Sequence, residues 1–233
     1  MSPQSHADYF FDWRSFAHSA LFKDTEHVWQ ALTQFDRYFK TQLLGKIEVE
    51  IPPGVTLENR EQISIGKGTT LEAGAFIRGP CLIGPNCSIR HGAYIRGNVI
   101  TGAKCVIGHA TEVKDCIFFD GAHAAHLAYV GNSILGKDVN LGAGTKCANL
   151  KFDDTAVAIK IDGQKISTGL RKFGAIIGDG SELGCNSVTY PGTLIGKGVF
   201  WYPGVNFGGF VPQQSIVRSR IEVTVLPQPQ DPS

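Results

Sequence analysis

Residues 63–119 read ISIGKG TTLEAG AFIRGP CLIGPN CSIRHG AYIRGN VITGAK CVIGHA TEVKDC IFF when broken into sixes. The third place of each hexad holds Ile65, Leu71, Ile77, Ile83, Ile89, Ile95, Thr101, Ile107, Val113 and Phe119, and nine of these ten are bulky and apolar. The first place holds small or β-branched residues, among them Ile63, Thr69, Ala75, Val99 and Thr111. Glycine follows the third place four times, at Gly66, Gly84, Gly102 and Gly108. A helix repeats every ~3.6 residues and a strand every two, so neither keeps this period. A six-residue period sustained this long predicts an all-β solenoid, a parallel β-helix built from hexapeptide repeats. The register returns at Leu135 and Leu141, and again from Ile177 through Leu183, Thr189, Ile195 and Trp201 to Phe207.

Two interruptions stand out. Residues 120–134 (DGAHAAHLAYVGNSI) break the hexads and are expected to form a loop carrying His123 and His126. A second loop is expected over 150–173, with a small hairpin in which VAIKI and QKIST flank Asp162 and Gly163. Loops that leave a rigid scaffold are where function concentrates. The predicted division is an N-terminal cap over 1–45, a β-helix over 46–215 and a Pro-rich tail over 216–233. Within the cap, Val28, Leu32, Phe35 and Phe39 recur at helical spacing. Two short amphipathic helices are therefore expected there, their aromatic residues packing over the open end of the solenoid.

Composition narrows the partners. Lys+Arg 22 against Asp+Glu 21 gives no electrostatic case for nucleic acid or membrane. The sequence holds no apolar run of ~20 residues and no basic-then-apolar start, so a soluble, cytoplasmic protein is expected. Six cysteines include no CxxC pair, and Cys81, Cys87 and Cys105 share the first hexad place, where Cys serves as a small buried hydrophobe.

The pattern resembles the left-handed β-helix of the hexapeptide acyltransferases, in which three hexads form one triangular coil. The resemblance implies left-handed winding, a homotrimer, and acyl-CoA lying between neighbouring prisms. With three hexads per coil, residues 18 apart stack at the ~4.8 Å spacing of paired strands. Arg78, Arg96 and Lys114 then form a column of cations. Like charges so close call for an offsetting anion, and a phosphate is the expected one. Gamma-type carbonic anhydrases share the fold but use two His five residues apart, a spacing that His91, His109, His123 and His126 do not give. No metal site is expected.

Acyl transfer fits better. An amine attacking a thioester must shed a proton, and neutral His takes one near pH 7. HLAYVG at 126–131, LGAGTKCANLKFDD at 141–154 and RKFGAIIGD at 171–179 resemble the acetyltransferase domain of the bacterial bifunctional enzyme that makes UDP-N-acetylglucosamine. They are also similar to its archaeal sugar-phosphate counterparts, over roughly Ile65 to Phe207. The resemblance implies His126 as general base and Asn149 as the side chain that positions the amine. It implies Arg96, Lys114 and Lys172 as basic substrate ligands, with Tyr129 and Asn140 around the sugar phosphate and acetyl group. Cys185 stands where the bacterial enzymes tend to have Ser near acetyl-CoA. Residues 1–45 hold nothing like the nucleotidyltransferase domain of the bifunctional members. The expectation is therefore the acetyl step alone, with a separate nucleotidyltransferase acting next. Two rivals remain open at this point: an acyltransferase on a UDP-aminosugar or other nucleotide sugar, and a non-enzymatic scaffold binding a sugar nucleotide. Near the C-terminus, Arg218 and Arg220 are either surface charges or contacts to CoA phosphates.

Overall fold

The computed structural model describes residues 3–220 together with Glu222 and Leu226. The described residues wind as a parallel β-helix with three faces, each an eight-stranded parallel sheet. Face A runs from Thr56–Glu58 to Asn206–Phe207, face B from Ile63–Ile65 to Phe210–Val211, and face C from Thr70–Leu71 to Ile216–Val217. Most strands send one or two residues inward, and these residues stack coil upon coil. Ile77 lies on Ile95, and Ile95 on Val113. The interior columns include Ile65, Ile83 and Ile195 on face B and Ile107, Leu141 and Leu183 on face C, all nearly inaccessible to solvent. Each such burial stabilises by roughly 1.5–3 kcal/mol, which is why a strict hexad specifies the fold.

The period slips once inside the first long run. Cys116 pairs with Val99 and Phe118 with Thr101, 17 residues back rather than 18. The corner between faces A and B explains it: Gly97 and Asn98 turn together with positive φ, whereas Asp115 turns alone with φ of 49°. Phe118 therefore takes the interior place expected of Phe119, and Cys116 the place expected of Ile117. Phe119 and Ile117 instead face a second apolar cluster outside the prism. The same slip explains the apparent loop at 120–134. His123–His126, Tyr129–Gly131 and Ile134–Leu135 are strands in the three faces, so the expected loop is an ordinary coil read out of phase. The insertion after Asn149 is real, and its hairpin pairs Ala158–Ile161 with Gln164–Ser167 around Asp162 and Gly163. Both of those turn residues have positive φ, as a type I′ hairpin turn requires.

The N-terminal segment departs from expectation in form and place. Among the described residues it is a strap of short turns, with one-turn α-helices at Ala7–Phe10 and Phe35–Phe39 and 3₁₀ turns such as Val28–Thr33 between them. It covers the side of the prism, not its open end. Face B carries Leu82, Ile100, Ile117, Ile134, Ile176 and Leu194 outward, and Phe10, Phe11, Phe16, Phe22 and Trp29 bury them. Adjacent Phe10 and Phe11 are both buried, which a single stripe on a helix does not allow. Phe119 stacks on Phe11 at 4.7 Å and on Phe16 at 4.1 Å between ring centroids. Val157, Ile159, Ile161 and Phe173 of the insertion complete this layer. Asp179 pins the strap, accepting from the Asp12 and Lys137 backbone N–H groups at 2.7 Å each. Face C ends in Ile216–Val217, two residues into the expected tail, and most of that tail lies outside the described residues.

His18 sits under the strap with its Nδ1 2.8 Å from the Tyr38 hydroxyl. Burial pushes its pKa down to about 4, against a smaller opposing pull from Asp120. The unfolded chain takes up this proton near pH 6.5 and the folded chain does not. Stability from His18 is thus fully present above ~6.5 and is lost as pH falls toward 4, by up to about 3 kcal/mol. Urea unfolding at pH 7 and pH 4.5 should show a drop that His18→Gln reduces; an equal drop in the variant would assign the acid sensitivity elsewhere.

Candidate active site

With face B covered, faces A and C and the corner between them carry the outward polar groups. The face A register places Glu58 beside Arg78, and Arg78, Arg96 and Lys114 in successive coils, as the 18-residue spacing implies. Each cation already has an anion from the chain itself. Arg78 pairs with Glu58 at 2.7 Å, Arg96 with Glu112 at 2.6 Å and Lys114 with Asp115 at 3.1 Å. The charge offset expected of a bound phosphate is thus partly internal. A phosphate entering here competes with Glu112 and Asp115.

The column ends at Gly131, which pairs with Lys114. A Cβ at Gly131 would lie 2.6 Å from Asn149 Nδ2 and 2.6 Å from the Tyr129 hydroxyl oxygen. The missing side chain is therefore the space into which these two polar ends reach. Burial raises the Tyr129 phenol pKa, nearby Glu112 adds to this, and Asn149 and Arg96 pull it back. Tyr129, Asn149, Arg96 and Glu112 form one electrostatic group. Lys114 joins it through the corner between faces A and B. There Asn98 and Asn132 donate to the two Asp115 oxygens at 2.9 and 3.3 Å, and Asn149 Nδ2 donates to Asn132 Oδ1 at 2.7 Å.

His126 lies at the corner between faces C and A, exposed, and pairs with His109 of the preceding coil. His91 and His109 stand in the same column with rings stacked 5.6 Å apart. Their Nδ1 atoms contact carbonyls of the preceding coil, Ala73 O at 2.6 Å and His91 O at 3.1 Å. Among the described residues no three His, Cys, Asp or Glu side chains come together to hold a metal. After His126 comes Leu127, 56% exposed, with φ of 52°. Gly74, Gly92 and Gly144 make the same turn in other coils. A bulky residue held there costs about 1 kcal/mol.

Three expected site residues stand apart from this group. Asn140 is on face C, paired with His123. Cys185 follows the face C strand Glu182–Leu183 and lines a shallow groove with Asn140, Phe200 and Tyr202. Lys172 is exposed at the foot of the insertion, bridged to Leu150, and its neighbour Phe173 bonds back to Asn149 O at 2.9 Å. One chain thus gathers Arg96, Lys114, Tyr129 and Asn149, sets His126 at the edge of their face, and leaves Asn140 and Cys185 around the corner. Glu112, Asp115, Asn132 and Gly131 were not singled out from the sequence. The available signal was arithmetic: Asn98, Asp115, Asn132 and Asn149 recur every 17 residues.

Residues 77–170 match the family described as the GMPPB C-terminal domain. A bifunctional sugar-1-phosphate nucleotidylyltransferase/acetyltransferase of Sulfurisphaera tokodaii is 44% identical over 95 residues, which cover 41% of this chain and 24% of that protein. The bifunctional protein GlmU of Methanococcus vannielii is 42% identical over 88 residues, 38% of this chain and 21% of the relative. That of Methanococcus maripaludis is 35% identical over 116 residues, 50% and 28% respectively. The chain spans about a quarter of the length of these curated relatives. Its β-helix is of the hexapeptide-repeat type. Within that type, its resemblance is to the bifunctional sugar-1-phosphate nucleotidylyltransferase/acetyltransferases.

Gly131→Ala tests the cradle. The atoms in its way are ends of side chains, so the unfolding midpoint should fall by no more than roughly 4 °C. A crystal structure of the variant should show Tyr129 and Asn149 displaced from each other. Unmoved side chains would mean that Gly131 does not shape the site.

Proposed function

We propose that the chain is an acetyl-CoA-dependent N-acetyltransferase of an aminosugar 1-phosphate, converting glucosamine 1-phosphate to N-acetylglucosamine 1-phosphate. The observation that carries this reading is the grouping on face A of two cations, a phenol and a carboxamide beside an exposed histidine. Arg96 and Lys114, with Lys172 at the rim, bind the phosphate. Tyr129 and Asn140 contact the sugar and the acetyl region, and Asn149 orients the amine. The amine nitrogen attacks the thioester carbonyl while His126 takes its proton, and the intermediate collapses with loss of the CoA thiolate, which recovers that proton. Cys185 and the groove it shares with Phe200 and Tyr202 are assigned to the acetyl-CoA side. The position of Asn140 and Cys185 around the corner from Arg96 suits a homotrimer, in which face C of one copy meets face A of another. Further support comes from the relatives, whose names join a sugar 1-phosphate to acetyl transfer. A sugar 1-phosphate product is what a nucleotidyltransferase consumes next.

The test is thiol release from acetyl-CoA with glucosamine 1-phosphate, galactosamine 1-phosphate, glucosamine 6-phosphate and UDP-glucosamine. Release with glucosamine 1-phosphate is expected. Release with UDP-glucosamine alone would move the reading to a nucleotide-sugar substrate, and silence from folded protein would overturn acetyl transfer. His126→Ala should lower kcat at least about 100-fold with an unchanged unfolding midpoint, because the residue lies outside the interior column. Near wild-type kcat would remove His126 from the mechanism.

A further inference from the structure

The ladder at the corner between faces A and B contains a chemical constraint that runs in one direction. Asp115 offers two oxygens as an ionised carboxylate, and such a group only accepts hydrogen bonds. Lys114 stands 3.1 Å from one of them. Asn98 and Asn132 must therefore turn their NH₂ groups toward Asp115, as they do at 2.9 and 3.3 Å. With its NH₂ committed, Asn132 presents Oδ1 to the next coil, and only a donor can answer it. Asn149 answers with Nδ2 at 2.7 Å. Its Oδ1 is thereby turned away from the ladder. The amide orientations do not have to be assumed one by one, since the carboxylate at one end dictates each in turn.

We infer that Asp115 and Asn132 are positioning residues: their hydrogen-bonded relay fixes Asn149 with its Oδ1 presented to the substrate as an acceptor, selecting an amino group as nucleophile. This rests on the acetyl-transfer reading for its substrate, though not for the relay itself. A neutral primary amine donates to Oδ1 and keeps its lone pair for the thioester carbon. A hydroxyl placed there donates its one hydrogen to Asn149 and has none left for His126. The backbone tolerates the arrangement because Asn and Asp are among the few residues that readily take the left-handed conformation, and Asp115 and Asn132 have φ of 49° and 48°.

Asp115→Asn is the decisive substitution. It keeps shape and left-handed propensity but offers one acceptor oxygen where two donors converge. One neighbouring amide must flip, and if Asn132 flips, Asn149 follows. Asn132→Gly is the second variant: it keeps the positive φ and cuts the relay in the middle. The first readout needs no substrate: hydrogen exchange of the Asn149 side-chain NH₂, followed by ¹⁵N NMR in the ligand-free chain. Exchange should be slow in the wild type and at least tenfold faster in both variants. The second readout is kinetic. KM for the amine should rise, and kcat/KM fall roughly tenfold to a hundredfold, with KM for acetyl-CoA unchanged. In an Asn149→Ala background Asn132→Gly, which leaves the Lys114–Asp115 pair in place, should add nothing further. Unchanged Asn149 exchange in the variants, or additive kinetic effects, would overturn the relay. If no amine in the panel turns over, the acetyl-transfer reading fails, and the exchange measurement still decides the relay.

Discussion

Parallel pairing between coils is the constraint on which everything else here depends. Each strand bonds to the one a coil before it, so a residue's neighbour in space is fixed by a step along the chain, 17 or 18 through most coils, 20 at the first, 42 across the insertion and 16 at the last. Interior columns of Ile and Leu, the face A cations, the corner histidines and the Asn–Asp ladder are all products of that one rule. It also makes the structure sensitive to single residues, since removing one at a corner rotates every later side chain relative to a fixed count.

The three faces have been put to different uses. Face B is made apolar on its outside and hidden under an aromatic strap and an inserted hairpin. That layer keeps large aliphatic side chains from water and blunts a surface that would otherwise associate with others. Faces A and C keep polar and aromatic groups outward. At the corner between A and B the shortened turn removes Gly97's counterpart and leaves Asp115 alone to make it. The same shortening brings Asn98, Asp115, Asn132 and Asn149 into register. A change in coil length and the appearance of a polar network are thus one event.

Much of this was legible in the sequence, and the failures have physical causes. The hexads named the solenoid because burial of the first and third residues of every six leaves a period no helix or isolated strand produces. The cation column followed from spacing alone, and the hairpin from Asp162 and Gly163. Phe119 was misplaced because a fixed count of six does not register a shortened corner, and the false loop at 120–134 came from the same slip. The strap was read as amphipathic helices because Val28, Leu32, Phe35 and Phe39 match a helical period. A flat sheet face wider than one helix stripe favours short turns that bury rings on either side. Of the proposed site, resemblance supplied His126, Tyr129, Asn140, Asn149 and Lys172. The ladder of Asn98, Asp115 and Asn132 that ends on Asn149 shows only when a step of 17 replaces 18.

The most direct measurement is a crystal structure of the chain with glucosamine 1-phosphate bound. The account predicts the phosphate between Arg96 and Lys114, displacing Glu112 or Asp115 from its cation, and the amino nitrogen within hydrogen-bond distance of Asn149 Oδ1. A sugar bound away from face A, or one whose amine faces Asn149 Nδ2, would contradict it.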